Sequence, residues 1–353
     1  MEQRLLRNED FSLDAEQVAL RETFAAFFAK ECSTTVVRAA EPLGFDPDLW
    51  DRLMELGVTT MGLPESAGGD GAGLVELVLA AEECGRALAP VPFIETTVAG
   101  RLLAAVGGPD ALAWLEDLAS GQRIVAVGLH RVLGDERQLV PAGAISDAII
   151  ALCPQSLVLV GDSQPPRRVA NQACAPLGWW KITGEHAVRQ VLIDGVDAER
   201  HWERALLEWK LLTAAALVGL SDAVLGRAVE HARTRHAFGV PIGSFQAVSH
   251  PLVDVLIGVE GSRRLIWKAA WFAENEPAEA RRLAAMAWVY ASEVATHAVT
   301  TCLHAHGGVG FTMESDIQLF FRRAKGWATI AGDPRRELLT LADTLVSDRA
   351  EVC

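Results

Sequence analysis

The strongest constraint on the fold is a succession of long helical runs in the second half of the chain. From Ala205 to Arg235 no proline intervenes, and only Gly219 and Gly226 interrupt an Ala- and Leu-rich run. Phe245–Glu274, Ala278–His306 and Ile317–Ile330 follow in the same texture. Pro251 is tolerated if its helix begins near Ser249, because a first-turn N–H has no helical partner anyway. Long helices joined by short Gly/Pro turns predict an antiparallel bundle.

The first part of the chain is also helical. Asp14 can cap a helix carrying Val18, Leu20, Phe24, Phe27 and Phe28 at helical spacing. Asp46-Pro47 starts a second, with Leu49, Trp50, Leu53 and Leu56 on one side. A glycine-rich loop, Leu63 to Gly71, leads into a helix from Leu74 to Leu88 that Ala89-Pro90 ends. Val98–Val106 and Ala111–Leu118 continue the texture. Between these regions the pattern turns to short β-rich runs: Arg123–Leu129, Ala148–Leu152, Leu157–Val160, Trp179–Ile182 and Val188–Ile193. Turn residues separate them at Gly161-Asp162, Gln164-Pro165-Pro166 and Gly184. The expected fold is therefore mostly α with a small β-domain: helices over 1–120, strands over 121–202 and a four-helix bundle over 203–353.

Composition removes several function classes. The net charge of −14, from 32 basic and 46 acidic residues, argues against nucleic acid or an acidic membrane as partner. Cys32, Cys84, Cys153, Cys174, Cys302 and Cys353 are scattered without a C-x-x-C pair, which reads as reduced thiols of a cytoplasmic protein. No uninterrupted apolar run has the length of a membrane span, and the N-terminus lacks a secretory apolar region. His297 and His304 share a helix face but read as packing or hydrogen-bonding groups, with no metal site. Trp179-Trp180 is either a ligand platform or a strand packed on the bundle.

Four segments carry more specific information. They are Leu63-Pro64-Glu65 with Gly68, Gly69 and Gly71; Arg235-His236-Ala237-Phe238-Gly239 through Ile242 to Phe245-Gln246 and His250; His306-Gly307-Gly308-Val309-Gly310-Phe311; and Arg322-Arg323-Ala324-Lys325. In this order and spacing they resemble the acyl-CoA dehydrogenase family over essentially the whole chain. The second segment resembles that family's R-x-x-F-G-x-x-I-x-x-F-Q-x-x-x-H signature and is the most specific. The resemblance implies FAD as cofactor, α,β-dehydrogenation of acyl-CoA thioesters, electron-transferring flavoprotein as acceptor, and a place in fatty acid or steroid degradation.

The chemistry suits those segments. A guanidinium such as Arg235 can pair a pyrophosphate with bidentate geometry. Phe238 offers an aromatic face to a base or ribose. Gln246 supplies a donor and an acceptor. Gly307, Gly308 and Gly310 allow close backbone approach. By resemblance, these groups and His304, which stands where the family has a Gln, reach the adenosine half of a neighbouring subunit's FAD. Taken singly, an Arg and a Phe at a helix end are a surface charge and a core contact, and the glycines are a turn.

The sequence departs from the family where the chemistry occurs. Removing a weakly acidic α-proton requires a positioned carboxylate. Its usual place, just before the Gly that follows R-x-A-K, holds Ala331. The alternative place in the family, early in the first bundle helix, falls on Trp209, with Glu208 beside it and pointing about 100° away. Glu208 is read either as a solvated helix-end carboxylate or as an unusual base. Lys210 corresponds to a basic residue near substrate. The T-E-P-x-x-G-S-D stretch and the following strand motif of the family are not matched by Ala126–Asp135. These losses resemble the short subunit of actinobacterial heterotetrameric (α2β2) acyl-CoA dehydrogenases, which implies a longer dehydrogenase subunit as partner. Two alternatives remain: a self-sufficient homo-oligomeric dehydrogenase with Glu208 as base, and a helical scaffold without flavin.

Overall fold

A computed structural model of the chain describes residues 11–342 except 42, 135–136, 163–166, 184–186 and 340. The expected turns at 164–166 and Gly184, the Asp135 end of the unmatched stretch, and Cys353 lie outside the described residues.

The order is helices, strands, helices. Helices α1 (Ala15–Glu31), α2 (Thr34–Ala39), α3 (Pro47–Met54), α4 (Val58–Met61), α5 (Leu74–Arg86), α6 (Phe93–Val106) and α7 (Gly108–Ala119) come first. Asp14 starts α1 through a capping box: its Oδ1 accepts from the Gln17 N–H at 2.8 Å, and its own N–H donates to Gln17 Oε1 at 3.2 Å. Asp46 caps α3 in the same way, with Pro47 in the first turn.

The strands are β1 (Val125–Val127), β2 (Arg137–Val140), β3 (Ala148–Leu152), β4 (Ser156–Asp162), β5 (Arg167–Arg168), β6 (Gly178–Lys181) and β7 (Ala187–Asp194). One sheet has the order β1-β3-β4-β7, parallel between β1 and β3 and antiparallel elsewhere. A second antiparallel sheet has the order β2-β6-β5. Each expected β-rich run contains a strand, whereas β2 and β5 lie outside those runs. Trp180 belongs to the β region's own small core, not to a contact with the bundle, and its indole N–H donates to the Gly143 carbonyl at 2.8 Å.

The last part holds α8 (Val196–Thr234), the hairpin β8 (His236–Ala237) and β9 (Val240–Pro241), α9 (Gln246–Asn275), α10 (Pro277–His306) and α11 (Ile317–Trp327). Helix α8 begins at Val196, ahead of the expected Ala205. Its charged first turns are held by an Asp197–Arg200 pair at 2.9 Å and by Trp202, which donates to the Gly128 carbonyl. Helix α9 begins at Gln246, ahead of the expected Ser249. The Phe245 carbonyl accepts from both Val248 and Ser249, so a turn forms before Pro251 is reached. Helix α8 is long and apolar enough to cross a membrane, but 72% of its most apolar window is buried inside the fold. Its apolarity is that of a core helix.

One core joins α1, α5, α6, the bundle and the inner face of the larger sheet. The tightest joint is between α5 and α8. A Cβ on Gly219 would lie 1.8 Å from the Glu82 carbonyl oxygen, and one on Gly85 would lie 2.0 Å from that of Ala216. Gly219, an interruption in the sequence pattern, is thus a point of backbone contact.

Candidate functional site

Two places gather the residues singled out above. The first is the end of the bundle where α8 and α10 stop. Arg235 caps α8, its N–H donating to the His231 carbonyl and its own carbonyl accepting from Ile242, each at 2.8 Å. The hairpin that follows pairs His236 with Pro241 and Ala237 with Val240. Its two-residue turn is Phe238-Gly239, with φ +53° and +84°. Two consecutive positive φ values define a type I′ hairpin turn, which favours Asn or Gly and strains a Phe. That Phe is 95% exposed and meets Phe245 edge to face, with ring centroids 6.1 Å apart. Gln246 opens α9, exposed, beside it.

Across from the hairpin, α10 ends at Gly307 (φ +63°). The backbone then winds through the tight turn Gly307–Phe311. A Cβ at Gly308 would meet nothing within 4 Å, whereas one at Gly310 would press on the Leu303 carbonyl. The imidazoles of His231 and His306 stack with centroids 4.4 Å apart, tying the two helix ends together. Burial first, then the charges of His306 and Arg235, lower the His231 pKa. His304 is exposed. Among the described residues, Arg235 makes no ion pair and is exposed. An unpaired guanidinium, an exposed ring and an open glycine backbone fit a diphosphate and an adjoining aromatic base.

The second place is a hollow of about 220 Å³ around Ala331, bordered by Trp209, Lys210, His130 and Trp288. Its own acids are engaged. Asp333 pairs with Arg335 at 2.8 Å, which holds its carboxyl below the usual range. Glu337 pairs with Lys210 at 2.7 Å. Glu208 is absent from this hollow. It lies on another side of α8, 4% exposed, and is not the solvated carboxylate expected. Arg101 grips both its oxygens at 2.8 and 3.2 Å, and Arg204 adds a contact at 2.8 Å. The reason is tertiary: α6 brings Arg101 across to α8, so burial is compensated by two guanidinium groups.

Sequence reasoning missed Glu95. It stands in the first turn of α6, beside a small cavity of about 90 Å³ that Trp209 shares with the Ala331 hollow. Burial pushes its carboxyl up to about 7, while its own backbone N–H and the Trp209 indole act in the other direction. The signal available was a lone acid in the apolar run Pro90 to Gly100. The opposite wall of the cavity is the loop Asn171–Pro176, which meets the backbone at Gly44 and the α11 residue Gly326 so closely that a Cβ at either would collide.

The chain thus joins a helical unit, a small two-sheet unit and a helical bundle whose end suits a nucleotide. Comparison with known proteins makes this specific. Residues 14–122 match the N-terminal domain of acyl-CoA dehydrogenases, and residues 202–345 match their C-terminal domain. The acyl-CoA dehydrogenase IpdE2 of Mycolicibacterium smegmatis is 32% identical over 93% of this chain and 98% of its own length. The ChsE4-ChsE5 complex from Mycobacterium tuberculosis contains a chain that superposes with a TM-score of 0.86 at 28% identity, covering 96% of this chain and 99% of that one. A chain of the Tcur3481-Tcur3483 steroid acyl-CoA dehydrogenase gives 0.85 at 26% identity, covering 95% and 99%. The chain belongs to the acyl-CoA dehydrogenase family of oxidoreductases.

Proposed function

We propose that this chain is the short subunit of a heteromeric acyl-CoA dehydrogenase, completing the FAD site of a longer partner subunit. One contrast supports the reading above all: Arg235 and Phe238 are exposed at the bundle end, whereas the position of the base holds Ala331 and the two acids that line its hollow, Asp333 and Glu337, are both paired. FAD, when bound, accepts the hydride that leaves the acyl-CoA. In this assignment Arg235 holds the diphosphate, and Phe238 lies along the adenosine. Gln246 and His304 donate to or accept from it, and the Gly307-Gly308 backbone lets it approach. None of these residues moves a proton of the substrate.

The partner surface is also suggested by the bundle. Val253, Leu256 and Ile257 are exposed on one face of α9, and Met286 and Tyr290 are exposed on α10. Such a face suits a subunit interface. The pairing of ChsE4 with ChsE5, and the steroid substrate class of the Tcur3481-Tcur3483 enzyme, support a hetero-oligomer acting on bulky acyl-CoA thioesters; membership of the family implies electron-transferring flavoprotein as acceptor. The test is expression of the chain alone and with a longer dehydrogenase subunit. Flavin and acyl-CoA dehydrogenation are expected only from the pair, and Arg235→Ala in this chain is expected to strip flavin from it. Stoichiometric FAD with turnover from the chain alone would reject the assignment.

A further inference from the structure

The glycine turn at the bundle end is fixed unevenly. On the α10 side, Gly310 packs against the Leu303 carbonyl. Beyond the turn, residues 312–316 have little core to hold them, because Val309, Phe311 and Met313 are all exposed. The hydrogen bonds of this stretch to itself are local. The Thr312 N–H donates to the Val309 carbonyl at 3.1 Å, and the Ser315 N–H to that of Thr312 at 3.2 Å. A segment with so few buried apolar contacts opens at low cost unless something distant ties it.

The tie is Arg38. It stands in the last turn of α2, in the first helical unit, and reaches a carbonyl 275 residues further along the chain. One N–H donates to the Met313 carbonyl at 2.8 Å and another to that of Glu314 at 3.2 Å. The same guanidinium meets Asp316 Oδ1 at 2.9 and 3.3 Å. The other Asp316 oxygen accepts from Arg227 of α8 at 3.5 Å. Three acceptors on one side chain require the rigid planar fork of an arginine. The ion pair is partly exposed, so it adds little to the stability of the fold. What it fixes is the place of the segment that follows the turn.

We infer that Arg38 is a positioning residue for the nucleotide end: from the first helical unit it holds Gly307–Phe311 where a diphosphate can approach the backbone. The inference rests on the subunit reading and deepens it. A backbone set in place beforehand loses less freedom on binding. Loosening the clasp therefore weakens FAD without removing a group that contacts it.

The experiment uses the assembled pair of subunits, stripped of flavin and titrated with FAD under flavin fluorescence. Arg38→Ala is expected to raise the FAD dissociation constant about fivefold, less than Arg235→Ala does. Arg38→Lys keeps the charge and the reach to Asp316 but not the fork, and should recover part of the loss. At saturating FAD, the visible absorption of the bound flavin should match that of the unsubstituted pair. Hydrogen–deuterium exchange of the flavin-free pair reads the positioning directly. It should quicken in 307–316 for Arg38→Ala, with α10 and α11 unchanged. Should Arg38→Ala not assemble, Asp316→Asn, which loosens the same clasp from its other side, takes its place. The inference is overturned by unchanged FAD binding in Arg38→Ala where Arg235→Ala weakens it, by a Lys variant no tighter than the Ala variant, or by exchange that quickens throughout α10 and α11. Unchanged FAD binding in Arg235→Ala would instead reject the subunit reading, and the inference with it.

Discussion

The end of the bundle and the hollow around Ala331 treat charge in opposite ways. At the bundle end, Arg235 faces solvent without an acid, and Phe238 stands in a strained turn with almost its whole ring exposed. Around Ala331, Lys210 is tied to Glu337, Asp333 to Arg335 and, behind the same helix, Glu208 to two arginines. Strain and unpaired charge persist where something outside the chain repays them. Where pairing is complete, a group stabilises the fold and is not free to exchange protons with a ligand. The contrast supports the proposed reading, in which the bundle end meets a ligand and the Ala331 hollow has turned structural.

The largest expected effect tests the structural side. Glu208→Ala leaves Arg101, partly buried beside Arg204, with only the longer 3.4 Å contact to Glu274. It should lower the unfolding free energy by about 3–5 kcal/mol in urea titration. Flavin retention by the assembled enzyme, measured below the unfolding transition, should be unchanged; its loss would make Glu208 functional and break the contrast.

Next in size is a pH effect. Glu95 is an acid whose folded pKa, about 7, lies above the ordinary 4.5. Between those values the folded chain holds more protons than the unfolded one, so stability falls as pH rises from about 4.5 to about 7 and levels off above. The drop should be at most about 3 kcal/mol. Glu95→Gln should flatten that part of the pH–stability curve; an unchanged slope would mean the carboxyl is solvated.

Arg235→Ala addresses the exposed side. A charge-assisted hydrogen bond contributes about 1.5–3 kcal/mol, so the assembled enzyme should release flavin roughly 10- to 100-fold more readily, read by fluorescence on dilution. The unfolding midpoint of the chain alone should not move. Smallest is Phe238→Gly. Relief of the positive φ should raise the chain's stability by about 1 kcal/mol. At the same time it should weaken flavin retention, the opposite sign from a packing residue.

Much of the layout could be read before the structure. Helical spacing marked the two helical parts, and short β-rich runs between turn residues marked β1, β3, β4, β6 and β7. The short β2 and β5, Arg137–Val140 and Arg167–Arg168, carry too little apolar pattern to stand out. Ala331 and Arg235 were legible because motif spacing fixes them along the chain. The burial of Glu208 was not, because Arg101 lies on another element and no local pattern pairs them. Glu95 was hidden for the same reason: its environment is assembled from α5, α8, α11 and a loop of the β region. Gly219 read as a weakness in a helix because its partner, the Glu82 carbonyl, is distant in sequence.

That last contact reaches beyond packing. With Gly85 and Gly219 each pressed on the opposite backbone, the leading helices and the bundle cannot drift apart by a methyl's width without losing their fit. They should melt as one cooperative block, so a chain cut before α8 would yield two sticky fragments instead of two independent modules.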